Sequence, residues 1–173
     1  MNEVLQAILD RRSCKRYLDE PVPQELLDQV LLAGTYAANG RGKQAGKILV
    51  LTKPEDIATL ERLNAQILGS PEAHPFYGAP VVLAVLANRE VNTAVEDGSL
   101  VIGNMLLAAH ALGLGACWIH RAREEFESTE GRELLQRWGV TGPYMGVGHC
   151  VLGYRAEEPR PAAPRKADFI VKI

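Results

Sequence analysis

The stretch from Leu100 to Leu112, LVIGNMLLAAHAL, constrains this chain more than any other. Its apolar residues cover nearly every side of a helix, so the segment belongs in a core. Gly113 and Gly115 end it, and ACWIH after it reads as a short strand. The helical pattern reaches back to Asn88 through NREVNTAVEDGS, which predicts one long buried helix. Other elements must wrap around it. With 173 residues, 47% of them hydrophobic, the chain is long enough to bury such a core as one domain over residues 1–173.

The surrounding segments mix helices and strands without a steady strand–helix–strand rhythm. NEVLQAILDRR has helical spacing and ends near Arg11. EPVPQELLDQVLLAGTYA is a second helix with Pro23 in its first turn. NGRGKQAG is a glycine-rich loop, KILVLT a strand, and KPEDIATLERLNAQIL a helix opened by Pro54 and Glu55. APVVLAVLA is a buried strand. REEFESTEGRELLQRWG holds one or two short helices, and YMGVGHCVLGY is a glycine-broken strand. RAEEPRPAAPRKA is a proline-rich extended arm, and DFIVKI is expected to be a last strand. The pattern implies an α+β fold, a central sheet flanked by helices. An arm of this kind can reach a neighbouring subunit and pair its strand there.

Charge and cysteine usage remove several functions. Lys plus Arg number 19 and Asp plus Glu 21, a net charge of −2, which does not suit a duplex-binding protein. Three cysteines without a CxxC pair argue against a disulfide framework and for a reducing cytoplasm. No apolar run is long enough to span a membrane, and the N-terminus lacks the charge order of a secretory signal. GRGKQAGKI fails as a phosphate loop, because three residues separate Gly42 from Gly46 and Ile48 follows the lysine. No GxGxxG opens a helix after a strand. His74, His110, His120 and His149 have no paired ligand spacing, so no metal is expected. Cys14 beside Lys15 could be a reactive thiol, but an inert one is the simpler reading.

What remains is a set of cations. RRSCKRY, Arg11 to Tyr17, can be a basic helix end that complements the dipole. Arg165 and Lys166 form a second pair far along the chain, where no helix explains them. Arg41 and Lys43 lie in the glycine-rich loop. Asp97 and Asn104 are seven residues apart, so two turns place them on one helix face near the apolar stripe. They can be a surface Asp and a satisfied core Asn, or a polar strip lining a ligand.

Five stretches in register along the chain resemble the nitroreductase family of FMN enzymes. RRSCKRYLDEPVP is similar to its R-R-S-x-R opening and P-V-P helix, and AANGRGKQ stands where its N-x-Q-P-W loop falls. FYGAPVVLAV resembles its F-x-x-A-P-V strand, and EDGSLVIGNMLLAAHALGLGACWI its core helix and flavin-facing turn. GHCVLGYRAEEPRPAAPRK resembles its closing G-Y-P signature. Lys15 replaces a second arginine, Gly42 stands where many members have Asn, and Ala45-Gly46 replaces Pro-Trp. CWIHRA replaces a proline-rich loop.

The resemblance implies a nitroreductase-like mixed sheet flanked by helices, with a long buried core helix and a C-terminal arm exchanged between the subunits of a homodimer. It implies FMN contacts from Arg11, Arg12, Ser13, Lys15, Gly42, Gln44, Asn104, Ile119, His120, Arg121 and Arg165. Arg165 is the arginine that would grip the phosphate. The implied activity is an FMN-dependent oxidoreductase passing electrons from NAD(P)H to a flat acceptor (a nitroaromatic, quinone or activated enone) by a ping-pong route. No catalytic side chain is fixed; His120 is the candidate proton donor, since histidine titrates near neutrality. Neither nucleic acid nor membrane is an expected partner. A flavin-storing dimer without an acceptor pocket, and a basic-patch RNA or anion binder, are the competing classes.

Overall fold

The helical spacing at the N-terminus becomes α1 (Glu3–Asp10), opened by Asn2, whose side chain accepts from Leu5 N at 2.9 Å. Pro23, with φ −57°, stands just ahead of α2 (Gln24–Thr35). β1 (Gly46–Leu51) and α3 (Pro54–Ile67) follow, the latter with Pro54, Glu55 and Asp56 in its first turn. Then come β2 (Val81–Asn88), α4 (Ala94–Ala111), β3 (Gly115–Ile119), α5 (Ala122–Glu127), α6 (Thr129–Arg137) and β4 (Tyr144–Gly153). The computed structural model describes residues 1–173.

All four strands pair antiparallel, in the order β1-β2-β4-β3. β2 is an inner strand, and its run VVLAVLA is buried throughout because both sheet faces are covered. Leu83, Val85 and Ala87 point to one face, where Leu27 and Val30 of α2 and Ile102 and Met105 of α4 pack. Val82, Ala84 and Leu86 point to the other, against Leu60 and Leu63 of α3, Phe126 of α5 and Leu134 of α6. Each wholly buried Leu, Ile or Met of these layers contributes about 1.5–3 kcal/mol by leaving water.

Three expectations change. The long helix starts at Ala94, not Asn88, because the Asn88 side chain accepts from Glu90 N at 2.9 Å and turns the chain first. α4 is also not buried all round: Ile102, Met105 and Ala109 are inside, whereas Val95 and Leu100 are exposed. The last strand is absent. Residues 168–173 form no ladder, and Phe169, Ile170 and Val171 lie in solvent, since nothing in the same chain pairs with them. No helix is long and apolar enough to cross a membrane.

Candidate active site

The cationic run is clamped onto the outer edge of the sheet. Ser13 bridges Ala116 of β3 in parallel, and Cys14 N donates to Ala116 O at 2.9 Å. Tyr17 then pairs antiparallel with Arg155, and its hydroxyl donates to Cys14 O at 2.9 Å. Burial pushes that hydroxyl's pKa up, so it stays a donor. The run therefore leaves β3 at Ala116 and passes to the residues that follow β4, beside the N-terminal end of β3.

This path opens a cavity of about 500 Å³ lined by Arg12, Ser13, Lys15 and Arg16 on one side and Arg155, Glu157, Glu158 and Arg160 on the other. The cations differ in how far they are committed. Arg12 donates Nη1 to Leu9 O at 2.6 Å and to Arg11 O at 2.7 Å, so it caps the end of α1. Arg16 pairs with Glu157 at 3.2 Å. Lys15, Arg155 and Arg160 form no ion pair; Lys15 Nζ sits 5.5 Å from the centroid of the Tyr77 ring. Burial, and next the Arg155 guanidinium, hold the pKa of His110 below its usual value.

Beyond the clamp, β3 ends in a turn. Ile119 is buried and His120 exposed, and Arg121 has φ 78°, left-handed for a residue with a side chain. Neither the His120 nor the Arg121 backbone N–H meets a protein acceptor. Asn64 of α3 holds the turn from below. Its Nδ2 donates to His120 O at 2.9 Å, and its Oδ1 accepts from Arg121 Nε at 3.0 Å. Asn64 Nδ2 also donates to Glu125, which bonds His149 Nε2, and all three side chains are fully buried.

The glycine-rich loop is built separately. Gly40 N donates to Asp97 Oδ1 at 2.9 Å, and Gln44 N donates to Asn39 Oδ1 at 2.9 Å. A Cβ on Gly40 would stand 2.2 Å from Thr93 Oγ1, so only glycine fits. Gly42 has φ 66°, a conformation that glycine and asparagine tolerate best. Gln44, at φ 48°, lines a second cavity of about 370 Å³ with Thr35, Asn39, Gly46 and Asp97.

The structure thus brings Arg12, Ser13 and Lys15 together and sets Arg11 beside them as the cap of α1. The turn Ile119–Arg121 lies further along the same strand, and Gln44 but not Gly42 lines the other cavity, which shares no residue with the first. Asp97 and Asn104 do not form one ligand-lining strip. Asp97 pins the loop, and Asn104 Nδ2 donates to Ala33 O at 3.0 Å, tying α4 to α2. Arg165 is exposed and turns back on Ala163 O, at 3.1 Å from Nε and 2.6 Å from Nη2. Cys14 is buried and donates to Arg16 O, and burial drives the Cys150 thiol to about 12, so neither is poised as a nucleophile.

Sequence reasoning missed Arg155 as a lining residue and the whole Asn64–Glu125–His149 group. His149 carried a signal: a histidine inside the apolar run VGHCVL needs a buried partner. Glu125 carried none, since REEFES reads as a solvated helix.

A family model described as the nitroreductase family matches residues 8–154, and the chain belongs to that family. An inferred NADH dehydrogenase/NAD(P)H nitroreductase of Methanothermobacter thermautotrophicus is 36% identical over 166 residues, covering 91% of this chain and 80% of that protein. The NAD(P)H FMN reductase of Bacillus subtilis is 30% identical, covering 96% of this chain and 72% of its own. Among solved structures, a nitroreductase of Bacteroides fragilis with bound FMN superposes with a TM-score of 0.91 at 28% identity over 100% of both chains.

Proposed function

We propose that this chain is an FMN-dependent oxidoreductase that takes electrons from NAD(P)H and passes them to a flat organic acceptor. The observation that carries the reading is the cavity beside β3, where Arg12, Lys15, Arg16, Arg155 and Arg160 outnumber Glu157 and Glu158, and where Lys15, Arg155 and Arg160 form no ion pair. Like charges gathered on a half-open surface repel unless an anion joins them. The flavin's phosphate is such an anion, and the donor set suits it. FMN, when bound, supplies the hydride and electron chemistry.

The chain's own residues bind and orient. Ser13, Lys15 and Arg11 offer a hydroxyl and two cations next to the edge of β3, and Arg165 can join them by giving up one exposed carbonyl. The free N–H groups of His120 and Arg121 are preorganised donors for an electronegative ring edge. His120 is exposed at the same turn and is the candidate to move a proton to the reduced acceptor.

We also propose a homodimer. Val4, Leu5, Ile8 and Leu9 of α1 are all more than half exposed, and α1 buries no residue in one chain. Apolar faces of this kind mark an interface. The arm would cross to the partner, bringing Phe169, Ile170 and Val171 out of water.

The test is the visible spectrum of the purified protein, with and without NADPH. Flavin absorbance should travel with the protein and bleach on reduction. A protein that stays colourless after incubation with FMN ends the proposal and favours a plain anion binder.

A further inference from the structure

We infer that Asn64 is a positioning residue, and that the buried chain His149–Glu125–Asn64 serves to hold Arg121 in its left-handed turn. The inference rests on the flavin reading above, which makes that turn the edge of the reaction site.

One amide grips both residues of the turn. Asn64 Nδ2 holds the His120 carbonyl, and Asn64 Oδ1 holds the Arg121 guanidinium. Both ends of the amide are engaged, so its orientation is fixed. Glu125 takes the second amide hydrogen and is itself held by His149. His149 is wedged beside Phe76, with ring centroids 5.2 Å apart, and beside Phe126, at 6.3 Å. The array cannot shift without leaving a polar group unpaired in an apolar layer.

Stability alone does not explain such an array. Buried ionisable groups replaced by well-packed apolar ones usually leave a protein no less stable. His149 Nδ1 has no partner at all, so the group is imperfect as a stabiliser. What the array does achieve is local. A residue with a side chain resists φ 78° and persists there only when its surroundings impose it. With the His120 carbonyl and the Arg121 side chain both drawn toward Asn64, the two N–H groups of the turn are left free of protein acceptors. The donors are thereby aimed before any ligand arrives.

The test compares Asn64→Ala, Arg121→Lys and the double variant Asn64→Ala/Arg121→Gly. In the apo-protein, the Cα and Cβ chemical shifts of residue 121 report whether the turn is left-handed. They should leave that range in Asn64→Ala and in Arg121→Lys, which loses the Nε donor. In the FMN-loaded protein, both variants should shift the flavin midpoint potential and lower kcat at least tenfold, with the KM for NADPH little changed. Glycine adopts φ 78° without strain, so the double variant should recover potential and kcat while keeping the Tm of Asn64→Ala.

A merely structural role would lower Tm and leave potential and kcat as in the wild type; that result overturns the inference, as does a double variant no better than Asn64→Ala. Should Asn64→Ala fail to fold, the half-buried Arg121→Lys carries the same readouts. A wild-type protein that takes up no FMN overturns the proposed function instead, and the Arg121 shifts still decide the turn.

Discussion

Arg12 turns its guanidinium back on the carbonyls of Leu9 and Arg11, and Arg165 does the same to Ala163. The sequence marks both as cations for one phosphate, and their neighbours separate them. Arg12 closes a helix and is committed. Arg165 faces no carboxylate, and the exposed Ala163 carbonyl can turn to water at little cost. Arg160 lines the cavity but shares it with Glu157 and Glu158, which compete for its charge. Arg165→Ala should therefore weaken FMN binding more than Arg160→Ala, by about 1.5–3 kcal/mol, or roughly tenfold to a hundredfold in Kd. Equal dissociation constants from fluorescence titration would remove Arg165 from the site. His110 gives a pH prediction. Its folded pKa lies below the usual value of 6.5, chiefly through burial and then Arg155. The unfolded chain thus gains a proton near pH 6.5 that the native state refuses until lower pH, so stability falls as pH drops through that window. The Tm of the wild type should fall more between pH 7.5 and 5.5 than that of His110→Gln. A parallel fall in both would show that His110 is not the group responsible. Single residues were the least legible scale in the sequence. Asp97 reads equally as a surface residue or, from its spacing to Asn104, as part of a ligand-lining strip, and only the folded loop reveals that it serves Gly40 N.

Elements were more legible, because periodicity reports burial directly. β2 reads as buried and is buried; α3 begins at the proline that announces it. The errors have local causes. An Asx turn at Asn88 delays α4, and α4 leaves Val95 and Leu100 exposed. The residues from 168 onward have a strand composition without a strand, since a lone chain offers them no ladder. That last mismatch carries a prediction. If the arm pairs with a second copy, deleting residues 160–173 should lower both dimer stability and FMN content. Sizing at decreasing protein concentration, with the ratio of flavin to protein absorbance, reads both. A truncated protein that remains dimeric and fully yellow would refute the exchange. The exposed face of α1 supplies a second check: Leu5→Glu should favour the monomer, because a charge at an apolar interface is desolvated without a partner.

For the whole molecule the question is how two substrates use one chain. The proposed flavin site draws on the cation-lined cavity, the turn beyond it and the loop cavity. No glycine fingerprint opens a helix after a strand to build a separate dinucleotide site. On the proposed reading, NAD(P)H and the acceptor use the same face in turn. Steady-state kinetics should be ping-pong, giving parallel double-reciprocal lines as the acceptor concentration changes. On the loop side, Gly46 lines the cavity and adds no side chain to narrow it. A shallow, open face should accept several flat molecules and grip none tightly. Turnover is expected with both a nitroaromatic and a quinone, with similar kcat and high KM for each. Intersecting lines would require a ternary complex and a second nicotinamide site elsewhere on the fold. Flavin that neither NADH nor NADPH bleaches would leave the chain's binding residues in place but assign them to holding the flavin rather than turning it over.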